Sequence, residues 1–411
     1  MVHADGAGGS WACPNGDRQD YPMLGVNANA ALLAGPESTG DTMRWPSVSV
    51  IVPCRNEQGH LQDCLESILI QDYPTIQEIF FMDGQSEDRT RELIVDAARR
   101  DSRIKLLDNP WKVVPHALNI GIEASSGSFI IRMDAHSTYP SDYVRRCVEG
   151  LVHSGAWNYG GVFVNRTRTG AIVARAIAAL TNHPFGVGNA HFRHGTEKRR
   201  ADTVPFGCFP RDLFSRVGLF DERLVRNQDN EFNARILKAG GTILLDPEIH
   251  IFYYNQESVR GLFRQALWTG SWNAITHFLC PHAFRWRHAL PGAFTAGVVT
   301  LLAASAGSLA LGVDRVAFAG LVPLLAYFLM TVACGVDVGR REGWRIGTLV
   351  PALGFGYHFT YGLGYLWGWV LVATGQYRKR IPLSRVNATD SAASPRQCGN
   401  EETANGVGGS V

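Results

Sequence analysis

A regular alternation of strand-like and helix-like patterns between residues 48 and 134 constrains the fold of this chain most strongly. The continuous β-branched run VSVIVP (48–53) is typical of a strand that is buried on both faces. Three later runs are also predicted as strands: EIFFMD (78–83), IKLLD (104–108) and SFIIRMD (128–134). Helical patterns separate these strands at about 55–71, 88–100 and 114–125. This order predicts an α/β fold with a mostly parallel sheet, in which ligands bind beyond the carboxyl ends of the strands.

Three apolar stretches follow Arg287 and change the character of the chain. They lie at about 289–313, 316–336 and 346–374, and each approaches or exceeds the ~20 residues that a membrane-spanning helix needs. Their length and lack of charge disfavour the alternative, buried helices of a soluble domain. We therefore expect a C-terminal membrane region of about three apolar helices. The third stretch is Gly-rich and contains His358, so it is either a full span or a broken, re-entrant one.

Basic residues beside these stretches predict the orientation in the membrane. Arg285 and Arg287 before the first stretch and the basic cluster at 340–345 after the second favour the same, cytoplasmic side. Three full spans would place the basic residues 378–380 outside, which the same rule disfavours, so the side of the C-terminal tail stays open. The sequence predicts a multi-pass protein of the cell (plasma or inner) membrane whose catalytic part faces the cytoplasm.

The charge balance and the cysteines exclude several classes of protein. Lys and Arg number 39 and Asp and Glu 37, and the net charge of +2 gives no general attraction to nucleic acid. The eight cysteines form no C-x-x-C pair, so we expect reduced, mostly buried thiols and neither a zinc cluster nor a disulfide framework. Residues 1–45 lack a signal-peptide pattern and are predicted to be a disordered leader. The other predicted regions are a globular domain (46–285), the membrane region (286–376) and a polar tail (377–411).

Polar side chains stand at the ends of the first two predicted strands. Asn56 and Glu57 follow the first strand, where they either contact a ligand or simply begin a helix. Asp83 ends the second strand. Its carboxylate suits a ribose hydroxyl or a base N–H, and the alternative is a β-turn in which Asp83 is the capping residue.

The strongest single motif is Asp134-Ala135-His136, at the end of the fourth predicted strand. Residues i and i+2 of an extended strand point to the same side, so the Asp134 carboxylate and the His136 imidazole can approach one metal ion together. A divalent ion there, Mg²⁺ or Mn²⁺, would bridge diphosphate oxygens and neutralise the charge of a departing diphosphate.

Two carboxylates mark the less regular second half of the domain, about 157–285, which we predict to be α+β. Asp229 and Glu231 stand at the start of the amphipathic pattern DNEFNARILKAG (229–240), which ends at a Gly. Asp229 either caps this helix or acts as the general base for an incoming hydroxyl. Glu231 is a candidate substrate-binding residue beside it.

The order of four motifs resembles one enzyme family. VSVIVPCRNE, FMDGQSEDRT, ALNIGIEASSGSFIIRMDAH and VGLFDERLVRNQDNEFNARILKAG resemble, in this order, glycosyltransferase family 2, the inverting GT-A fold enzymes that use nucleotide-diphosphate sugars. The resemblance covers about 47–275. The D-A-H form and the apolar C-terminal region are most similar to the membrane-associated exopolysaccharide branch. The resemblance implies that 46–285 is a GT-A nucleotide-sugar-binding domain.

The resemblance also implies roles for the matching residues. These are Glu57 and Asp83 for the nucleoside, Asp134 and His136 for the metal, and Asp229 for the catalytic base. His136 stands where the family's D-x-D motif has its second acid. Gln228 stands where the E-D motif has its Glu, while the base itself is kept.

A further signature of related members, Q-x-x-R-W or Q-x-x-R-Y, would fall at RQALWTG (264–270). Gln265 is present and is a candidate substrate-binding residue, but Trp268 stands in place of the Arg. Either Arg264 supplies the positive charge that the Arg of the signature would carry, or other residues bind the acceptor. Trp268 either stacks on a sugar ring as a substrate-binding residue or anchors the chain at a membrane interface. This departure weakens any assignment of processive polymerisation.

The function implied is inverting transfer of a sugar from a nucleotide-diphosphate donor, UDP-glucose or similar, to a lipid-linked saccharide in extracellular polysaccharide biosynthesis. The expected cofactor is Mn²⁺ or Mg²⁺. The expected partners are the donor, a polyprenyl-linked saccharide acceptor and membrane lipid, without nucleic acid. Two alternatives stay open: transfer of a sugar to polyprenyl phosphate itself, and a catalytically silent membrane subunit of a polysaccharide synthase.

Overall fold

The structure is a computed structural model that describes residues 45–188 and 190–382, with the backbone alone at 314–320. Its nine strands are β1 (Val48–Cys54), β2 (Ile76–Asp83), β3 (Ile104–Asp108), β4 (Phe129–Arg132), β5 (Ser137–Thr138), β6 (Asn158–Arg166), β7 (Arg199–Arg200), β8 (Cys208–Pro210) and β9 (Ile243–Tyr254). Its α-helices are α1 (Leu61–Leu69), α2 (Thr90–Arg100), α3 (Val114–Ala124), α4 (Tyr143–Ser154), α5 (Ile172–Asn182), α6 (Pro184–Val187), α7 (His191–His194), α8 (Leu213–Val217), α9 (Gln228–Lys238), α10 (Val259–Leu279), α11 (Leu290–Ala310), α12 (Asp314–Glu342), α13 (Trp344–Gly347) and α14 (Val350–Ala373). The predicted leader up to residue 44 and the tail from residue 383 lie outside the described residues.

The sheet begins with a parallel half in which β3, β2, β1 and β4 are neighbours in that order. All seven residues of β1 are buried. Val48, Val50 and Val52 belong to the core that also holds side chains of α1 and α4, whereas Ile51 belongs to the core on the other face. This two-sided burial explains the continuous β-branched run. The predicted α/β fold with a mostly parallel sheet is confirmed.

The second half of the sheet continues from β4 and includes antiparallel pairs. β8 pairs antiparallel with β4, and β6 and β9 continue the sheet as a parallel pair. In the first half, Cys54 pairs with Asp83 and Asp83 with Asp108, so the carboxyl ends of β1, β2 and β3 are level. The loops that follow these strands therefore open onto one edge of the sheet.

Two predicted boundaries at this edge were wrong. The helix predicted at 55–71 begins only at Leu61, because Asn56 has a positive φ of 56°, a backbone conformation that no helix residue adopts. Asn56 instead binds the loop after β2: its amide donates to Ser86 Oγ at 2.9 Å, and its side-chain oxygen accepts from Glu87 N at 2.8 Å. The strand predicted at 128–134 ends at Arg132.

The cysteines in the described part of the chain lie in its interior. Its six cysteines are free and buried, while Cys13 and Cys398 lie outside the described residues. Burial raises the pKa of the Cys280 thiol to about 12. These thiols are therefore protonated and unreactive near neutral pH.

The three C-terminal apolar stretches form helices α11, α12 and α14. Among the described residues, two helical segments have the length and apolar composition to cross a membrane, Leu290–Ala310 and Leu321–Glu342. The third, α14, is continuous, so the broken alternative is wrong. It packs along α10, and it is not among the segments that meet the requirement for a span.

Glycines let α10 and α14 approach at backbone distance. A Cβ added at Gly364 would lie 2.2 Å from the Leu267 carbonyl oxygen, and one at Gly368 would lie 2.5 Å from that of Ser271. These distances are shorter than any side chain tolerates, so only glycine fits. The Gly-rich composition of α14 is thus explained by packing against α10 rather than by flexibility.

We expect Gly364→Ala to lower stability. The added methyl group overpacks the α10–α14 contact, at a cost of about 1–3 kcal/mol. Gly297→Ala in α11 is the matched control, because a Cβ there meets nothing within 4 Å and alanine favours a helix over glycine. Thermal unfolding in detergent should give a lower Tm for Gly364→Ala than for Gly297→Ala. Equal Tm values would contradict the close packing.

Candidate functional site

A series of charged side chains runs across the end of β4. Glu57 Oε1 lies 3.8 Å from His136 Nδ1, and the same nitrogen lies 2.6 Å from Asp134 Oδ1. The other carboxylate oxygen of Asp134 lies 3.8 Å from Arg132 Nη2. Arg132 Nη1 donates to Asp229 Oδ1. We call these five residues the strand-end cluster: Glu57, His136, Asp134, Arg132 and Asp229.

A turn, not a strand, brings Asp134 and His136 together. β4 ends at Arg132, and the Ser137 amide donates to the Asp134 carbonyl at 3.1 Å. The two side chains meet as expected, but the strand geometry from which their meeting was predicted is absent. The turn folds the imidazole back onto the carboxylate, so both groups lie at the open end of β4.

Arg132 is the member of the cluster that sequence reasoning missed. Its side chain is only 4% exposed, and it lies between the carboxylates of Asp134 and Asp229. The signal was present in the sequence, since a buried guanidinium inside the apolar run FIIRM requires carboxylate partners. One of its nitrogens, Nε, is buried without a hydrogen-bond partner among the described residues.

Asp229 lies in the first turn of α9 and does not cap it. The residue before the helix is Asn227, whose φ of 66° is left-handed, and no side chain caps the helix there. The Asp229 carboxylate points to Arg132 instead, so the capping alternative is wrong. Burial raises the pKa of Asp229, although Arg132 acts to lower it. A carboxylate with a raised pKa is a stronger proton acceptor than an ordinary one.

The segment before Asp229 is fixed by α10. Arg226 Nη1 donates to Thr269 Oγ1 at 3.0 Å, and the Asn227 side chain donates to Asn273 Oδ1 at 2.7 Å. Asn273 in turn donates to the hydroxyl of Tyr361 in α14 at 2.5 Å. The Asn227–Asn273–Tyr361 connection therefore links the start of α9 to the C-terminal helices.

The Asp134 carboxylate and the His136 imidazole are in direct contact, with 2.6 Å between Oδ1 and Nδ1. Burial alone would lower the pKa of His136, but Asp134, Tyr253 and Glu57 raise it well above its ordinary value. The carboxylate thus favours a positive charge beside it, which a proton on the imidazole or a bound metal ion can supply. Within residues 45–188 and 190–382, no group of three or more His, Cys, Asp or Glu is placed to hold a metal. An oxygen-loving ion there would complete its shell with water and substrate oxygens.

An open cleft of about 460 Å³ borders the strand-end cluster. This volume is within the range of small-molecule sites, roughly 300–1,000 Å³. The ring of Tyr253, at the end of β9, meets the His136 ring edge-on with 5.1 Å between centroids. Burial raises the pKa of Glu57 to about 7, with His136 opposing and Asp134 reinforcing the shift. The cleft is lined by Glu57, His60, His136, Arg168, Tyr253, Tyr254, Asn255, Gln256 and Glu257.

Asp83 lies at the same edge of the sheet but makes its own contacts. It accepts hydrogen bonds from Ser86 Oγ at 2.5 Å and from Arg91 Nη1 at 3.3 Å, and its side chain is 1% exposed. The Ser86 amide also donates to Asp83 Oδ1 at 3.2 Å, so the Asp83 carboxylate caps the irregular loop that follows β2. Its predicted contact with the nucleoside stays a prediction.

The remaining three predicted site residues lie outside the strand-end cluster. Glu231, 2% exposed, forms ion pairs with Arg235 at 2.7 Å and His282 at 3.0 Å. Trp268 is 39% exposed, and Arg380 lies over its ring at 5.3 Å. Gln265 lies on α10, partly buried. The structure thus groups four of the eight predicted site residues in one cluster and places Asp83 at the same sheet edge.

Comparison with known proteins finds relatives among sugar-transferring enzymes. The chain is 31% identical over 229 residues to the succinoglycan biosynthesis protein ExoA of Rhizobium meliloti (strain 1021), covering 55% of this chain and 69% of that protein. It is 27% identical over 230 residues to the dolichyl N-acetyl-alpha-D-glucosaminyl phosphate 3-beta-D-2,3-diacetamido-2,3-dideoxy-beta-D-glucuronosyltransferase of Methanococcus voltae, covering 54% of this chain and 72% of that enzyme.

A solved structure and a family model agree with these relatives. The mannosyltransferase PcManGT from Pyrobaculum calidifontis, in complex with GDP-Man and Mn²⁺, superposes with a TM-score of 0.50 at 18% identity, over 82% of this chain and 93% of that one. It shows the shared GT-A fold. The family model described as glycosyl transferase family 2 matches residues 49–219. The chain therefore belongs to glycosyltransferase family 2.

Proposed function

We propose that this chain transfers a sugar from a nucleotide-diphosphate sugar, UDP-glucose or similar, to a lipid-linked saccharide, with inversion at the anomeric carbon. The observation that carries the proposal is the position of Asp229, a carboxylate of raised pKa held by Arg132 beside the Asp134–His136 pair. A base, a candidate metal pair and an open cleft occur together there. This combination is what displacement of a nucleoside diphosphate by a hydroxyl requires.

In the proposed reaction, Asp229 takes the proton from the acceptor hydroxyl. The hydroxyl oxygen then attacks the anomeric carbon from the face opposite the diphosphate. The bond between the anomeric carbon and the diphosphate oxygen breaks, and its electron pair leaves with the nucleoside diphosphate. One displacement gives one inversion. Glu57 and Asp83 are the proposed nucleoside contacts, with the sugar between the cleft and the start of α9. Gln265, Trp268 and Glu231 stay further proposed substrate contacts, outside the strand-end cluster.

A divalent ion, Mn²⁺ or Mg²⁺, is the proposed cofactor, with Asp134 and His136 as its protein ligands. When bound, it would neutralise the negative charge that develops on the departing diphosphate. The Mn²⁺ in the PcManGT structure supports this choice of metal. His136 must be neutral to bind a metal, so binding should weaken as the pH falls and protons compete for the imidazole.

Two features support a lipid-linked acceptor in polysaccharide biosynthesis. The described chain has two helices that are apolar and long enough to cross a membrane. The Rhizobium relative is a succinoglycan biosynthesis protein, and the Methanococcus relative is a dolichyl-linked sugar transferase. We propose a GT-A domain at 46–285 that faces the cytoplasm and a membrane region at 286–376. A multi-pass chain of this kind keeps the cleft at the membrane surface, where a polyprenyl-linked saccharide is found.

The test is nucleoside diphosphate release by membranes that carry the protein, supplied with a lipid extract and a panel of UDP-, GDP- and dTDP-sugars. We expect one donor to release its nucleoside diphosphate at least about tenfold faster with Mn²⁺ or Mg²⁺ than with chelator, a difference of roughly 1.4 kcal/mol in activation free energy. A product with one phosphate between sugar and lipid would indicate transfer to polyprenyl phosphate instead. Nucleotide binding without release from any donor would indicate a silent subunit.

A further inference from the structure

Two arginines near the cleft are not paired with carboxylates. Among the described residues, neither Arg193 nor Arg226 forms an ion pair, although most partly buried arginines of this chain do. Arg193 Nη1 is buried and has no hydrogen-bond partner in the described part of the chain. The hydrogen bond of Arg226 is to the neutral hydroxyl of Thr269. A buried guanidinium without an anion is costly, so both side chains are suited to an anionic ligand.

Aromatic rings, rather than acids, lie against the Arg193 guanidinium. It lies over the rings of Phe163 and Tyr253, at 5.4 Å and 5.9 Å from their centroids. This pairing of a cation with rings keeps the positive charge without neutralising it. Burial lowers the pKa of Arg226, and the titratable groups that oppose this effect are tyrosines rather than carboxylates.

Both arginines border the strand-end cluster. Arg226 stands just before α9, whose first turn holds Asp229. Arg193 lies over Tyr253, whose ring also contacts His136 of the strand-end cluster. The pair is therefore adjacent to the proposed reaction site.

Arg226 is also coupled to the base by the chain itself. It stands three positions before Asp229, and its side chain is held on α10 by Thr269. The next residue, Asn227, is fixed through Asn273 to Tyr361, one turn beyond Tyr357 on α14. An anion bound at Arg226 would thus lie at a fixed position relative to Asp229.

We propose that Arg193 and Arg226 form a binding site for the phosphate groups of the lipid-linked acceptor. This proposal rests on the proposed function and names the part of the acceptor that is recognised. Arginine forks match phosphate oxygens in pairs of hydrogen bonds. The location favours the acceptor over the donor. The proposed metal ligands already hold the donor's diphosphate. The arginine pair instead borders α14, from which a lipid tail can extend along the apolar helices.

The test uses the full chain in detergent and direct binding, without sugar transfer. The probes are farnesyl diphosphate, farnesol, inorganic diphosphate and, with Mn²⁺ present, UDP, GDP and dTDP. We expect the double variant Arg193→Gln/Arg226→Gln to bind farnesyl diphosphate at least about tenfold more weakly than the original chain. Its affinity for the preferred nucleoside diphosphate should stay unchanged, which also reports that the variant is folded. Arg193→Lys/Arg226→Lys, which keeps both charges, should recover part of the affinity.

Arg216→Gln is the matched control, because Arg216 is an arginine of the same domain that pairs with Asp212 on the surface. It should leave all affinities unchanged. Equal farnesyl diphosphate affinity in the double variant would overturn the proposal. If the double variant instead loses affinity for the nucleoside diphosphate, the arginine pair binds the donor. If the original chain binds inorganic diphosphate as tightly as farnesyl diphosphate, the lipid is not part of the recognised ligand. If no sugar is transferred from any donor while the binding difference persists, the proposed function fails and the anion site stands.

Discussion

Asp229→Asn should abolish sugar transfer and leave donor binding intact. The substitution keeps the size of the side chain and an oxygen that can accept the hydrogen bond from Arg132, but it removes the proposed proton acceptor. Loss of a general base lowers turnover by about 10²–10⁴-fold. The measurement is the initial rate of nucleoside diphosphate release with the donor that the panel identifies, together with the dissociation constant of that nucleoside diphosphate.

A surface carboxylate provides the matched control. Asp212 forms an ion pair with Arg216 four residues later, and both side chains are more than a third exposed. Asp212→Asn removes the same charge from the same domain and should change neither rate nor binding. If Asp229→Asn keeps a substantial part of the transfer activity, Asp229 is not the base. If it loses nucleotide binding as well, the carboxylate serves the donor site or its folding.

Arg132→Met should produce the second large loss, for an electrostatic reason. Arg132 is the cation between two carboxylates, and it acts to lower the pKa of Asp229 against the effect of burial. Without it the pKa of Asp229 rises further, so more of the base is protonated at pH 7. The acid limb of the rate profile should therefore move to higher pH, and the rate at pH 7 should fall, by about tenfold or more, as the protonated fraction of the proposed base grows.

The pH profile distinguishes this electrostatic effect from a general loss of structure in the Arg132→Met variant. Partial recovery of the rate as the pH is raised above 7 is expected for Arg132→Met, since high pH restores the ionised base. Arg132→Lys should keep more activity because it keeps the charge, though not the forked geometry. Arg103→Met removes an arginine paired with Asp101 at the surface and should leave the profile unchanged. A uniform loss at every pH in Arg132→Met would contradict the electrostatic role.

The parallel half of the fold could be predicted because its signals are local. The run at 48–53 is apolar at every position, and a strand buried on both faces explains it. The boundary of β3 at Ile104–Asp108 agrees with the sequence pattern to the residue. The start of α1 was not predictable in the same way. The left-handed conformation of Asn56 depends on hydrogen bonds to the loop after β2, thirty residues further along the chain.

The site could be predicted only in part, because some of its contacts cross the whole chain. Asp134 and His136 are two positions apart, so their meeting was expected. The pairing of Arg132 with Asp229 spans 97 positions and follows from the antiparallel return of the chain through β8 to α9. Periodicity also gave no sign that α14 would pack on α10, since that contact depends on glycines of each helix that face the backbone of the other helix at close distance.

The order in which the chain is synthesised gives the Asn227–Asn273–Tyr361 connection a further consequence. Tyr361 is 88 residues later in the chain than Asn273. A ribosome therefore completes every strand of the sheet well before α14 has emerged, and domains generally fold in that order. The segment before the base receives its last hydrogen-bonded support only when the final apolar helix is in place. Under the proposed function, maturation of the site is in this way coupled to membrane insertion of the C-terminal helices, and the enzyme is completed where its proposed acceptor lies.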